Sequence, residues 1–380
     1  MNERLKFVAA HARGEFTMSE LCARFGVSRK TGYKLLSRYR SDGVDGLKDR
    51  SRAPRGHPNQ TPVELEVAIL RVRRAHPTWG SKKILAVLER DNPRARLPAR
   101  STIDEVLRRA GLVTPRRRRR SGLPPREKPK YSADRPNDVW SADFKGWFTL
   151  GNGVRCAPLT INDVLSRFSL RSVAMCGPKL DDVKLEFEAC FREFGLPLGI
   201  LVDNGPPFGS SGIGGLTRLS VWWVRVGIAP HFIQPGKPQQ NGRHERFHRT
   251  LGRETAKPPS STLSAQQCAF TRFRRIYNEE RPHEALGMLT PSEIYERSPR
   301  EYHGTPDHHE YPDEWESRSV HNNGSIKLRQ SRLFVGEAMI GERVGLEPID
   351  DGIWRVHLGA LPIGVFDERA RVVVPEAKSS

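Results

Sequence analysis

The chain has 380 residues, with 63 Lys+Arg against 44 Asp+Glu and a formal net charge of +19. Its five cysteines (Cys22, Cys156, Cys176, Cys190, Cys268) are odd in number, widely spread and never spaced C-x-x-C, which excludes a disulfide framework or a cysteine zinc knot. No apolar run reaches the roughly 18 residues of a membrane span and MNERLKF is not an apolar leader, so a cytoplasmic protein is expected.

The charge is unevenly placed. Residues 1–130 carry 32 Lys+Arg and 13 Asp+Glu, whereas residues 131–380 carry 31 of each. A basic third joined to a neutral remainder predicts a polyanion-binding module attached to something else.

Within the basic third, Thr17-x-x-Glu20 reads as a capping box that opens a helix carrying Leu21, Cys22 and Phe25. A Gly26-Val27-Ser28 turn follows, and Ser28 caps a second helix that presents Arg29, Lys30, Lys34 and Arg38 around an expected apolar stripe of Tyr33, Leu36 and Tyr39. Helix, glycine turn and basic helix is the helix-turn-helix pattern, so residues 1–50 are expected to form a DNA-binding domain. After a polar linker over 51–60, Thr61-Pro62-Val63-Glu64 starts another helix, with Val67, Ile69, Leu70 and Val72 at its apolar positions. Helices over Ser81–Arg90 and Ser101–Ala110 complete a second candidate DNA-binding unit at 61–113. The segment 114–134 contains five consecutive arginines, Arg116, Arg117, Arg118, Arg119 and Arg120, among prolines. It reads as an extended linker that tracks phosphates without sequence specificity.

From Asn137 the pattern changes to strands. Val139–Phe144 holds Asp143 among apolar and β-favouring residues, with Arg155–Ile161 and Ser169–Met175 as expected antiparallel neighbours. A helix over Asp181–Phe194 precedes a short strand, Gly199–Val202, that runs into Asp203. Ala229–Ile233 then leads to a helix beginning near Asn241 and carrying Glu245. These elements describe a mixed sheet covered by helices over 135–256, followed by a helical segment at 257–298. Two strand aspartates and a helix glutamate at one end of a sheet form an oxygen-rich set suited to Mg²⁺ or Mn²⁺. Paired ions of that kind stabilise the attacking and leaving oxygens of phosphodiester chemistry.

Three blocks, WSADF around Asp143, LVDNGPPF around Asp203 and KPQQNGRHERFHRTL around Glu245, resemble the catalytic blocks of bacterial insertion-sequence transposases in the retroviral-integrase superfamily. YNEERPHEALGMLTPSEIY (277–295) resembles the segment that follows that core. The resemblance implies a ribonuclease-H-like fold with Asp143, Asp203 and Glu245 as catalytic metal ligands and two Mg²⁺ ions per site. It also implies recognition of terminal inverted repeats by the helix-turn-helix units and a dimer or tetramer on DNA in the nucleoid. In such a reaction water, and later a DNA 3′-hydroxyl, attacks a phosphorus in line. One departure is that 41 residues separate Asp203 from Glu245, more than the family usually has. GSSGIGGLTRLS (209–220) is expected to hold the excess as a flexible loop beside the site. Asp163 occupies a familiar family position and reads as structural, with a secondary option of approaching the metals.

Two other readings remain open on sequence. His244-Glu245-Arg246-Phe247-His248 matches H-E-x-x-H, the helix motif of zinc peptidases. A transposase-derived regulator without activity would keep the DNA-binding units alone. Under the transposase reading His244 and His248 take DNA-contacting or helix-surface roles. Lys237, Gln239, Gln240 and Arg243 are candidate DNA contacts, and Asn241 a helix cap. After Ser298, short segments punctuated by glycine predict a small β-barrel at 318–376.

Overall fold

A computed structural model describes residues 2–50, 60–113, 133–329, 331–370 and 372–375. The linker over 51–60, save Gln60, and the arginine run Arg116–Arg120 lie outside the described residues. The chain divides into two compact units, 1–62 and 63–380.

In the first unit, α1 (Asn2–Ala12), α2 (Met18–Arg24) and α3 (Arg29–Asp42) pack around Phe7, Val8, Leu21, Cys22, Leu35, Leu36 and Leu47. The Thr17–Glu20 capping box forms in both directions, and Ser28 Oγ accepts from Thr31 N at 3.2 Å. Helices α2 and α3 approach closely at Gly32, where a Cβ would stand 2.7 Å from Cys22 Sγ. The apolar stripe of α3 is therefore Gly32, Leu35 and Leu36. Tyr33, expected in that stripe, is 54% exposed, and Tyr39 also faces solvent. The sequence reading missed α1, which supplies Phe7 and Val8 to this core.

The second unit begins with α4 (Val63–Ala75), α5 (Ser81–Asp91) and α6 (Arg100–Arg109), joined through Ile69, Val72, Trp79, Ile84, Leu88, Ile103, Val106 and Leu107. Val67 is exposed rather than apolar core. This bundle is seated on the segment after the catalytic sheet. Lys82 pairs with Glu284, Lys83 donates to Pro282 O, and Arg90 meets Glu293 at 3.1 Å.

The sheet contains β1 (Val139–Phe144), β2 (Phe148–Thr149), β3 (Arg155–Asp163), β4 (Ser169–Met175), β5 (Gly199–Val202) and β6 (Ala229–Phe232). Its order is β2-β3-β1-β5-β6, with β4 also paired to β3. The β1–β5 and β5–β6 pairs are parallel and the rest antiparallel, which is the mixed sheet expected. Alternation along the strands sends Trp140, Ala142, Leu159, Ile161, Ile200 and Val202 to one face. There they meet α7 (Leu180–Phe194) and α8 (Arg218–Arg225) through Phe187, Phe191, Trp222 and Trp223. On the opposite side Cys156 packs with Phe247 and Leu251 of α9 (Gly242–Thr255) and Phe270 and Phe273 of α10 (Leu263–Arg275). At the end of α7, Gly195 has φ +78°, and a Cβ there would lie 2.7 Å from Ser298 O, so only glycine lets the chain cross.

An unpaired strand edge exposes peptide groups that must find partners. Helix α10 and its continuation provide them for β4: Gln267 accepts from Ala174 N (2.8 Å) and donates to Ser172 O (3.1 Å). Asn278 accepts from Ser169 N (2.8 Å) and donates to Ser169 O (3.0 Å). Asn278→Leu strands two buried backbone groups and should cost about 1–3 kcal/mol, read as a fall in the denaturation midpoint. A midpoint unchanged within error would reject this role.

The 209–220 segment is not a loose loop at the site. Ser210 Oγ donates to Leu216 O at 2.6 Å, Thr217 caps α8, and Ile213 and buried Leu216 join a cluster with the C-terminal strands. Helix α8 consequently has two apolar faces, with Val221 and Val224 turned to that cluster and Trp222 and Trp223 to the catalytic sheet. The extra length between Asp203 and Glu245 docks the C-terminal module.

That module contains β7 (Glu316–Ser319), β8 (Ser325–Leu328), β9 (Ser331–Phe334), β10 (Arg343–Asp350), β11 (Ile353–Leu358), β12 (Leu361–Asp367) and β13 (Val372–Pro375). Among the described residues they form an open antiparallel sheet, β13-β12-β11-β10-β7, and a separate β8–β9 hairpin. Where the sequence predicts a small barrel, the described strands form two sheets that share one core, with no described ladder between the β7 and β13 edges.

Candidate active site

Asp143 stands next to last on β1, opposite Thr160 of β3. Asp203 is the first residue beyond β5, where its Oδ1 accepts from Gly205 N at 3.2 Å. Because β1 and β5 are parallel neighbours, both aspartates emerge at the same end of the sheet. Glu245 lies in the first turn of α9 and is exposed, while His244, Phe247, Leu251 and Thr255 of that helix point inward.

The charges of the other two acids reach Asp143. Burial, then the Asp203 charge and more weakly that of Glu245, push the Asp143 carboxyl up to about 7. Burial raises Asp203 as well, partly offset by the Gly205 N–H. Among the described residues no three His, Cys, Asp or Glu side chains converge closely enough to hold a metal ion as they stand. After burial, the two groups that raise Asp143 are both other acids. The oxygen-only set is of the kind that suits a hard divalent ion, and Glu245 is its exposed member.

The two histidines are not surface groups. His244 is 1% exposed; its Nδ1 meets Ser141 Oγ at 2.9 Å and its Nε2 meets Thr160 Oγ1 at 2.6 Å. His248 Nε2 reaches the same hydroxyl at 2.8 Å, and Thr160 Oγ1 donates to Asp143 O at 3.1 Å. This network braces α9 against β1 and β3 and corrects the DNA-contact or helix-surface role expected for both residues. It also commits three of the four imidazole nitrogens that a zinc site would draw on. His248 Nδ1 lies 3.8 Å from Asp143 Oδ2, but burial drives the imidazole down to about 3, so the contact is not an ion pair.

Burial holds His244 well below its ordinary value too. A histidine neutral when folded binds fewer protons than when unfolded, so its stabilising contribution is complete above pH 6.5 and declines as pH falls. Each should cost up to about 1.4 kcal/mol per pH unit below 6.5. His248→Gln should flatten the loss of melting temperature between pH 6.5 and 5; an unchanged slope would reject the assignment.

Asp163 is structural: it is buried and accepts from Asn137 N (2.8 Å), Ser166 N (2.7 Å) and Ser166 Oγ (2.6 Å). Asn137 in turn accepts from Trp140 Nε1 and Tyr295 OH, each at 2.9 Å, tying the 277–295 segment to the start of β1.

Of the expected DNA contacts, Arg29, Lys30 and Lys34 are exposed on α3, while Arg38 donates to Lys48 O at 2.6 Å. Gln239 is exposed, and Lys237 is half-buried. Gln240 braces its own loop, accepting from Gln234 N at 2.9 Å. Arg243 donates to Val164 O at 3.1 Å. Asn241 sits at the N-cap of α9 without making a side-chain cap bond, contrary to the capping role expected. Ser141 and Thr160 were missed; their legible trace is their position on strand faces opposite His244 and His248, visible once β1, β3 and α9 are assembled.

Comparison with known proteins places this geometry. The chain matches family models described as a helix-turn-helix domain over 3–55, a homeodomain-like domain over 31–107 and an integrase core domain over 226–291. An IS481 family transposase C-terminal domain matches 315–373. An uncharacterised 31.7 kDa protein of insertion element IS407 from Burkholderia multivorans is 31% identical over 239 residues, covering 63% of this chain and 82% of that one. The transposase InsD of insertion element IS2 from Escherichia coli is 27% identical over 293 residues, 73% and 87% of the two chains. The HTLV-2 integrase catalytic core domain, solved with magnesium, covers 43% of this chain and all of its own at 17% identity and a TM-score of 0.34. The chain belongs to the bacterial insertion-sequence transposases of the retroviral-integrase superfamily. No helix among the described residues is long and apolar enough to cross a membrane.

Proposed function

We propose that this transposase cuts DNA at transposon ends and joins the resulting 3′-hydroxyls to target DNA, with Asp143, Asp203 and Glu245 as its catalytic acids. The observation that carries the reading is Asp143 at the end of a parallel strand pair, raised by burial and by the charges of Asp203 and Glu245. Mg²⁺ or Mn²⁺, as one pair of ions held by these carboxylates, supplies Lewis-acid stabilisation to the attacking and leaving oxygens. The Asp203 and Glu245 charges both bear on Asp143, so it is the carboxylate that would gain most from a bound cation. The His244–Thr160–His248 brace keeps α9 in register with β1, which fixes where Glu245 starts from. Arg29, Lys30 and Lys34 on α3 and the arginines 116–120 hold the terminal inverted repeats and their phosphates. Lys237, Gln239 and Arg243 lie on the approach to the acids, and a dimer or tetramer brings two ends together.

The test is incubation of the purified chain with labelled end DNA and Mg²⁺, using Asp203→Ala as control. Metal-dependent nicking and joining lost in the control supports the reading. Specific end binding without either product would instead identify a transposase-derived regulator.

A further inference from the structure

Beyond the acids, β1 leads into a short hairpin whose two faces differ. Phe148 and Leu150 turn inward to the cluster of Cys156, Phe247 and Leu251. Trp147 points the other way, 61% exposed, with the Arg155 guanidinium 4.3 Å from its ring centroid. Among the described residues no carboxylate pairs with Arg155, and its guanidinium lies against the indole face. The hairpin is firmly held: Leu150 N donates to Val154 O (2.9 Å), while Gly151 N and Asn152 N donate to Ser260 O and Ser261 O, each at 3.0 Å.

Isolated exposed apolar residues are ordinary on protein surfaces. This one differs in carrying an uncompensated cation and in its address. Asp143 pairs with Thr160 and Phe148 with Cys156 on the same strand, β3. Four residues of strand place the hairpin about 13 Å along β3 from Asp143, with Trp147 and Arg155 on the opposite face of the strand. Lys145 lies on the same connection, its Nζ 5.9 Å from the Phe148 ring centroid. A rigid aromatic face with a guanidinium against it has the chemistry that holds an unpaired base next to its phosphate.

We propose that Trp147, with Arg155 stacked on it, is a platform for an unpaired DNA base on the hairpin that follows the strand carrying Asp143. The proposal rests on the transposase reading, because it takes the DNA end to be opened at the site. Its role is to hold the separated strand, and Trp147 is a positioning residue rather than a catalytic one.

The experiment uses the full chain carrying Asp203→Asn, so that no turnover intervenes, and a forked duplex of arbitrary sequence with 5-iodo-deoxyuridine in its single-stranded arm. Irradiation is expected to cross-link the arm to the peptide containing Trp147. Trp147→Ala should weaken binding of the fork about 5- to 150-fold, the range of one base–aromatic stack, while leaving the fully paired duplex unchanged, and Trp147→Phe should keep most of the affinity. Cross-linking elsewhere, equal loss on fork and duplex, or no loss on the fork would each overturn the proposal. Because these are binding measurements, they stand apart from the nicking assay on the unaltered chain that tests the transposase reading.

Discussion

Asp143→Asn is expected to lower Mg²⁺-dependent nicking and joining by about three orders of magnitude or more, equivalent to ~4 kcal/mol of transition-state stabilisation, while end-DNA binding stays within about twofold. Asparagine keeps the volume of aspartate and removes its charge, and Asp143 is the acid on which the other two charges bear. A hard cation held by three carboxylates loses an anionic ligand at the centre of the set. The same change at Asp163 should behave differently, since that buried carboxylate satisfies three donors of a turn. Asp163→Asn should lower the melting temperature and leave the activity of the folded fraction near that of the unaltered chain. Nicking assays normalised to folded protein separate the two outcomes. Residual metal-dependent nicking above about a tenth of normal in Asp143→Asn would remove that residue from the catalytic set.

The second large effect has the opposite sign and comes from the same substitution. In metal-free protein the Asp143 carboxyl is raised to about 7 by burial and neighbouring acids, against an ordinary value of 3.8. A folded state that binds the proton more tightly than the unfolded state loses stability as pH rises between those values. Above pH 7 the penalty is complete. The shift corresponds to an upper bound of about 4 kcal/mol; the side chain is 23% exposed, and solvent screening reduces this to roughly 1–2 kcal/mol. Asp143→Asn should therefore raise the melting temperature at pH 8 in EDTA by a few degrees, with the advantage gone by about pH 4. Adding Mg²⁺ should stabilise the unaltered chain and do little for the variant, because binding to the folded state alone raises stability by mass action. A variant no more stable than the original at pH 8 would show that the acids do not strain one another. Between pH 4 and 6.5 the buried histidines act against Asp143, so the unaltered chain should lose stability on acidification less steeply than the variant.

Much of this design is legible in the chain. The switch from helical periodicity to apolar runs at Asn137 marks where the sheet begins, and strands over 139–144, 169–175 and 199–202 occur where their composition places them. Short buried strands read well because their apolar residues, glycine boundaries and β-branched content agree. The acids were legible as exceptions, since a carboxylate at the end of an apolar strand has few reasons to be there. Other expectations failed for definite reasons. Tyr33 and Leu35 are both apolar to a pattern reader, and only the crossing at Gly32 decides which faces the core. The glycine-rich 209–220 segment has the composition of a loop, yet Leu216 finds a hydrophobic cluster built from residues more than a hundred positions later.

By itself the sequence determined that a basic, helical, DNA-binding third precedes a neutral segment with three acids, and that these acids stand at the ends of elements rather than within them. Local propensity and charge suffice for that, since both are properties of neighbouring residues. Only the tertiary structure decided that His244 and His248 meet at Thr160 instead of at a metal, that Asp143 is raised by its neighbours, and that Trp147 is left facing solvent. Those outcomes follow from strand register and from the face that α9 turns to the sheet, which bring together residues far apart in the chain.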